Sequence, residues 1–173
     1  MPTLIFFDVE VTGLNGQGDL ISLGVISDDA RHRLYLENSH FSPRSCAPEI
    51  AEEVLPQLQG GGRSMPMDVL ALRLAIFLHE IGPDVVAIVT DRCSQEWFAK
   101  ILDSQTGLRP DNVLREAKVL NLHALPDTVR DAAAHAYQRP RRRVAIANAE
   151  ALRDAWVGMR RIVGTDALFA LTD

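Results

Sequence analysis

The chain has 173 residues, of which 47% are hydrophobic and 24% charged, and its net charge is -5. This composition is typical of a globular domain that can bury a core without disulfides or a structural metal. The negative charge argues against a broad, non-specific grip on double-stranded nucleic acid, but it is compatible with a protein that holds a short nucleic-acid end beside metal ions.

The length predicts one domain, residues 1–173. The two cysteines, Cys46 and Cys93, do not have the spacing of a metal or redox motif, as is usual in a reducing compartment. The sequence shows neither a basic leader nor an apolar run of membrane-spanning length. We therefore expect a cytoplasmic protein that does not associate with membranes.

The first stretch that indicates chemistry is residues 4–14. Four apolar residues at 4–7 precede Asp8, and Glu10 follows two positions later. Alternate side chains of a strand project from the same face, so the two carboxylates converge. Like charges held this close are costly unless a cation lies between them, and Mg²⁺ and Mn²⁺ prefer such oxygen ligands. The pattern predicts a buried strand that ends in a metal site, and the alternative is an edge strand with two solvated acids.

The elements that follow indicate an α/β fold. Further strands are predicted at residues 20–27, 33–37, 85–89 and 117–122, and helices at 66–80, 94–103, 127–137 and 148–162. Residues 38–65 are expected to be irregular apart from a helical patch at 48–58, and the glycines at 60–62 form either a lid or a tolerated surface loop. The elements predict a mixed five-stranded sheet, with an antiparallel three-strand meander followed by parallel strands, flanked by helices.

Residues 7–14, Phe-Asp-Val-Glu-Val-Thr-Gly-Leu, resemble the first motif of a known family. The motif is Asp-x-Glu-x-Thr-Gly-Leu, and the family is the DEDD superfamily of ribonuclease-H-like 3'-to-5' exonucleases, which includes ribonuclease T and oligoribonuclease. The resemblance implies a ribonuclease-H-like fold and metal-dependent hydrolysis of phosphodiester bonds at single-stranded RNA or DNA 3' ends, RNA more than DNA. Two Mg²⁺ or Mn²⁺ ions would bind per site, the product would be a nucleoside monophosphate, and a homodimer is one possible assembly.

By this resemblance, four acids hold the ions. Asp8 and Glu10 are the first two, and Asp91, which closes the apolar run at 85–89, is the third candidate. The alternative for Asp91 is an acid that stabilises a helix N-terminus, and Glu96 is a reserve candidate. The second motif of the family has its Asp three residues before an aromatic residue, and in this chain that position is Gln95.

Residues 149–155, Ala-Glu-Ala-Leu-Arg-Asp-Ala, resemble the third motif, His-x-Ala-Leu-x-Asp-Ala, except at its first position. The resemblance makes Asp154 the fourth metal-binding acid, with an exposed helical acid as the alternative. It also places Ala149 where the DEDDh branch has the histidine that takes a proton from the attacking water. Loss of a positioned general base typically costs about 10²- to 10⁴-fold in rate, so we expect an impaired enzyme.

Three explanations of Ala149 remain open. The residue could be an engineered replacement of histidine, or the chain could bind nucleic-acid ends or nucleotides without hydrolysing them, or another group could act as the base. The candidates for that base are Glu150, His123 and His135.

The resemblance also implies a surface for the terminal nucleotide. Phe7, Leu14 and Trp97 would supply the surface on which the base stacks, although Trp97 is also a natural core residue. The arginines at 139–143 either bind phosphates or form a solvated loop. The implied substrate-binding residues are Val11, Thr12, Gly13, Leu14, Trp97 and Arg143.

Overall fold

The structure is a computed structural model that describes residues 2–14, 18–103, 110–113, 117–120, 127, 144–164 and 170. The strands in these residues are β1 (Thr3–Val11), β2 (Leu20–Ser27), β3 (Arg33–Asn38), β4 (Ser64–Met65), β5 (Val85–Val89) and β6 (Lys118–Val119). The α-helices are α1 (Pro48–Glu53), α2 (Met67–Ile81), α3 (Arg92–Asp103) and α4 (Ala145–Val163). Short 3-10 helices are present at Pro43–Ser45, Leu55–Gln57 and Gly61–Arg63.

The strands form one mixed sheet in the order β4-β3-β2-β1-β5-β6. Strands β1, β2 and β3 pair antiparallel, while β5 pairs parallel to β1 and β6 parallel to β5. The predicted α/β class, with an antiparallel meander followed by parallel strands, is confirmed. The predicted count of five strands is wrong, because the stretch expected to be irregular supplies β4, whose two residues pair parallel to the end of β3.

Strand β1 lies at the centre of the sheet and separates two layers of helices. Its odd-numbered side chains pack against α2 and α3, where the Phe7 ring meets the Phe98 ring edge-on at 5.0 Å. Its even-numbered side chains pack against α4, where Phe6 lies 6.0 Å from the fully buried Trp156. Because side chains alternate along a strand, Asp8 continues the even-numbered row and belongs to the α4 side of the sheet.

The first turn of α4 rests directly on the sheet at Gly24 of β2. Gly24 pairs with Asp8 of β1, and a β-carbon at Gly24 would lie 2.3 Å from both the backbone nitrogen and the Cα of Ile146. Only glycine permits this approach of helix and strand. The contact brings the start of α4 over the acids of β1.

Helix α4 begins three residues earlier than predicted, at Ala145, because Ala145 and Ile146 are buried against the sheet. Helix α2 and strand β5 match their predictions to within a residue at each end. The predicted helix at 127–137 and the end of the strand predicted at 117–122 lie outside the described residues. Within the described part of the chain, no helix is long and apolar enough to span a membrane.

Candidate functional site

Three of the predicted acids come together at one edge of the sheet. Asp8 and Glu10 lie on β1, and Asp91 follows the parallel neighbour β5, so the strands direct all three to the same end. The Ser94 hydroxyl lies between two of them, 3.5 Å from Asp8 Oδ1 and 3.3 Å from Asp91 Oδ2. The structure therefore brings Asp8, Glu10 and Asp91 close enough for the charges of Glu10 and Asp91 to act on Asp8.

Burial makes the ionised form of Asp8 unfavourable. Only 7% of the residue is exposed, and this burial, followed by the charge of Glu10, raises the pKa of Asp8 well above its ordinary value of 3.8. The charge of Asp91 raises the pKa further, while hydrogen bonds from Asn148 and Ser94 lower it without reversing the shift. A carboxylate cluster of this kind is stabilised by a bound cation.

The fourth group at this point is Asn148, in the first turn of α4. Its amide nitrogen donates to Asp8 Oδ2 at 3.0 Å and to Glu10 Oε1 at 2.9 Å. An ionised carboxylate only accepts hydrogen bonds, so the amide presents its two hydrogens to the two acids. Asn148 thus stands beside Asp8 and Glu10, where the resemblance led us to expect Asp154.

Asp154 does not join the other acids, and this corrects the expectation for the fourth ligand. Its side chain is 48% exposed and pairs with Arg153 at 2.9 Å. Arg153 in turn donates to the carbonyl of Asp28, whose own amide donates to the carbonyl of Leu4, at the opposite end of β1. At 1.5 Å per helical residue, Asp154 lies roughly 9 Å further along α4 than Asn148.

Ala149 does not face the acids either. It is fully buried in the core between α4 and the sheet, in the same cluster as Leu152 and Trp156. A histidine side chain at this position would enter the core, so position 149 does not mark the place of a general base. Of the alternative bases, Glu150 is paired with Arg33 at 2.6 Å, and His123 and His135 lie outside the described residues.

A weaker match to the third motif begins six residues earlier, and in that register the position of the motif's Asp is Asn148, which contacts Asp8 and Glu10. Residues 143–149 read Arg-Val-Ala-Ile-Ala-Asn-Ala, with alanine at both alanine positions and Ile146 for the leucine. In this register Asn148 would stand in place of the motif's metal-binding Asp, and Arg143 in place of its histidine. This second match could have been found in the sequence, but asparagine and arginine do not have the chemistry of the aspartate and histidine that identify the motif. Arg143 itself lies outside the described residues.

Asp91 stabilises the N-terminus of a helix and also lies with the other acids of the site. Its Oδ1 accepts the backbone N–H of Ser94 at 2.8 Å, so Asp91 caps α3, which begins at Arg92, two residues earlier than predicted. Asp91 also contributes charge to the surroundings of Asp8. Gln95 donates to the carbonyl of Ala117 at 2.8 Å, and the reserve candidate Glu96 is exposed on α3.

A pocket of about 470 Å³ opens beside the acids. Its walls come from the first motif, from α1 and from the start of α3, and the lining residues are Val9, Glu10, Val11, Gly13, Leu14, Ile50, Asp91, Arg92 and Cys93. Protein pockets for small ligands commonly span about 300 to 1,000 Å³, so this space suits a small ligand.

The predicted substrate-binding residues divide into two groups. Val11, Gly13 and Leu14 line the pocket. Thr12 is buried and its hydroxyl accepts the backbone N–H of Asp19 at 2.9 Å, so Thr12 shapes the turn and does not line the pocket. Trp97 packs against the core and carries Lys100 over its ring at 4.0 Å, away from the pocket lining.

Comparison with known proteins leaves the family open. No family model matches the chain, and no curated protein matches it. Among the described residues, no three His, Cys, Asp or Glu side chains already stand in the arrangement of a bound ion. The chemistry of the three carboxylates nevertheless suits a divalent cation, because they are hard oxygen donors and one of them is buried at an electrostatic cost.

Proposed function

We propose that the chain is a ribonuclease-H-like 3'-to-5' exonuclease of low activity, which hydrolyses the terminal phosphodiester bond of single-stranded nucleic acid with Mg²⁺ or Mn²⁺. The observation that carries this proposal is the convergence of Asp8, Glu10 and Asp91 beside a pocket lined by the rest of the first motif. The resemblance to ribonuclease T and oligoribonuclease favours RNA over DNA as the substrate.

Different residues of the site bind the cation and the substrate. Asp8, Glu10 and Asp91 would hold the cation, which supplies Lewis-acid stabilisation of the charge that develops on the phosphate. The apolar side chains of Val11, Leu14 and Ile50 form the wall against which the terminal base packs. Arg92 lines the same pocket and supplies positive charge for a phosphate.

The low activity follows from what surrounds the acids. The described histidines are His32, His40 and His79, and none of these three hydrogen-bonds to Asp8, Glu10 or Asp91. Because none of the described histidines is placed to accept the proton of the attacking water, we expect hydrolysis to rely on the cation and on substrate positioning. The expected rate is about 10²- to 10⁴-fold below that of a site with such a base.

A second candidate function is binding of nucleic-acid ends or nucleotides without hydrolysis. Asn148 favours it, because its neutral amide replaces a negatively charged ligand and already bridges Asp8 and Glu10. On this alternative, the pocket and the cation recognise the 3' end, and no product is released.

The test is an assay with a 5'-labelled single-stranded oligoribonucleotide, in Mn²⁺ and in EDTA. We expect Mn²⁺-dependent binding and slow stepwise shortening from the 3' end by the wild-type chain, and a loss of at least about 10²-fold in rate for Asp8→Ala. The matched control is Asp154→Asn, an exposed acid of the helix that carries Asn148, which should leave both properties unchanged. Binding without shortening would favour the second candidate, and binding that is unaffected by EDTA would refute both.

Arg92 gives a prediction about substrate affinity. It is exposed at the pocket, and no ion pair joins it to another of the described residues, so its charge is available to a phosphate. Arg92→Gln should weaken oligonucleotide binding about tenfold at low salt. It should also make the plot of log affinity against log salt less steep by about 0.7. The control Arg73→Gln removes an exposed arginine from α2 and should change neither the affinity nor its dependence on salt. Fluorescence anisotropy at several salt concentrations measures both quantities.

A further inference from the structure

We infer that Thr12 is a positioning residue for the proposed reaction, because it ties together two walls of the pocket. One wall is Leu14, in the segment that follows β1, and the other is Ile50 of α1. The inference deepens the proposed function and rests on it in one respect, namely that the terminal base packs against these two apolar side chains. Thr12 itself is 2% exposed and does not line the pocket, so it acts through its neighbours.

The wall at Leu14 is fixed by two hydrogen bonds between Thr12 and Asp19. The backbone N–H of Thr12 donates to the carbonyl of Asp19 at 2.9 Å, and the Thr12 hydroxyl accepts the backbone N–H of Asp19 at 2.9 Å. The hydroxyl also lies close to Gly18, where an added β-carbon would be 2.3 Å from Thr12 Oγ1. These contacts close the connection between β1 and β2 at its base, so they fix the point at which Leu14 leaves the sheet.

The wall at Ile50 depends on a third hydrogen bond of the same residue. The carbonyl of Thr12 accepts the backbone N–H of Ala47 at 2.8 Å, and Ala47 immediately precedes α1. All 6 residues of α1 are at least partly exposed, whereas Val54, which follows the helix, is fully buried. The burial of Val54 anchors one end of α1, and the hydrogen bond to Thr12 anchors the other.

The two walls therefore share one anchor, and the wall on α1 is the easier one to move. A single short helix is not stable alone, and segments with little buried surface open at a low cost in free energy. Loss of the bond between Ala47 and Thr12 should let Ile50 move away from Leu14, while the acids of the site stay on their strands. Thr12 thus affects the affinity for substrate and not the chemical step.

The first experiment removes the N–H of Ala47, at a position whose backbone already suits proline. Ala47 has a φ of -58°, and Cys46 before it is extended, with a φ of -71° and a ψ of 137°. Ala47→Pro should raise KM for a 5'-labelled oligoribonucleotide in Mn²⁺ about five- to tenfold and leave kcat unchanged. The control Ala47→Ser keeps the N–H and should change neither constant.

The second experiment removes the hydroxyl of Thr12. Thr12→Val has nearly the same shape but offers no acceptor to the N–H of Asp19, so it should also raise KM about five- to tenfold at constant kcat. Thr12→Ser keeps the acceptor and should retain the wild-type KM. A residue that merely supports the fold would not separate KM from kcat in this way.

Hydrogen exchange provides a measurement that needs no substrate. The N–H of Ala51 donates to the carbonyl of Ala47 at 2.9 Å, so its exchange rate reports how often α1 opens. We expect faster exchange at Ala51 in Ala47→Pro than in the wild type, and an unchanged rate in Ala47→Ser.

The outcomes separate this inference from the proposed function. An unchanged KM in either Ala47→Pro or Thr12→Val, or a fall in kcat at unchanged KM, would overturn the inference and leave the proposed function in place. A wild-type chain that neither binds nor shortens the oligoribonucleotide would refute the proposed function. Exchange at Ala51 then decides the inference, which is overturned if Ala47→Pro leaves that rate unchanged.

Discussion

Replacement of Asp8 by asparagine is expected to stabilise the metal-free chain at pH 8 by about 1–3 kcal/mol, even though it removes the central acid of the site. Asp8 is almost completely buried, and the charges of Glu10 and Asp91 that act on it are also negative. In the absence of a cation, the ionised side chain is a cost to the folded state that an uncharged amide of the same shape avoids. The same variant should lose its stabilisation by Mn²⁺.

The dependence on pH follows from the direction of the pKa shift. The pKa of Asp8 is raised in the folded chain, so between its ordinary value of 3.8 and the raised value the native state holds a proton that the unfolded state has released. The free energy of unfolding therefore falls as the pH rises through that window, and the full penalty is present above it. Urea denaturation in EDTA at several pH values should show this decline for the wild type and a flatter profile for Asp8→Asn.

Asp29 provides a control of the opposite sign. Hydrogen bonds from the Ser27 hydroxyl and the Arg31 backbone amide lower the pKa of this carboxyl. Its contribution to stability is therefore present above the unfolded pKa and is lost as the pH falls through the folded one. Asp29→Asn should remove that contribution at neutral pH without changing the response to Mn²⁺.

A metal-free Asp8→Asn chain that is less stable than the wild type at pH 8 would contradict the electrostatic account of the site.

The parts of the site that could be predicted are those with a strong local pattern. The apolar run before Asp8 and the alternation of Asp8 and Glu10 identified a buried strand with two acids on one face, and β1 has that form. Asp91, which follows the apolar run at 85–89, could be predicted because the C-terminal ends of parallel strands meet at one edge of a sheet.

The register of α4 could not be predicted from such a pattern. Val144 precedes the helix and offers no capping side chain, so the usual signal for a helix start is missing. Asn148 is itself a residue type that favours helix starts, and Asp154 has the chemistry expected of a metal ligand. Asn148 and Asp154 are six residues apart, which separates their side chains by about 240° around the helix. Only the packing of Ile146 on Gly24 determines that Asn148, and not Asp154, points towards the acids.

Gly24→Ala should have the largest effect on stability, a loss of about 3 kcal/mol or more. The added β-carbon would lie 2.3 Å from the backbone nitrogen and Cα of Ile146 and 2.5 Å from the carbonyl carbon of Ala145. These are backbone atoms, so no change of rotamer relieves the contact and the first turn of α4 has to move. The control Gly158→Ala lies within α4 with open space around the added carbon, and it should stabilise the chain by about 0.5–1 kcal/mol. Urea denaturation of both variants measures the difference.

A double mutant tests whether Gly24 acts through the turn that carries Asn148. Removal of the Asn148 amide takes one hydrogen bond from each of two carboxylates, so Asn148→Ala alone should cost about 1.5–3 kcal/mol in the metal-free chain at neutral pH. If Gly24→Ala has already moved that turn away from the sheet, the hydrogen bonds are lost before the second substitution is made. The combined loss should then be smaller than the sum of the two single losses. Additive losses would mean that the contact at Gly24 and the hydrogen bonds of Asn148 are independent, so that the glycine fixes the fold but does not position the site.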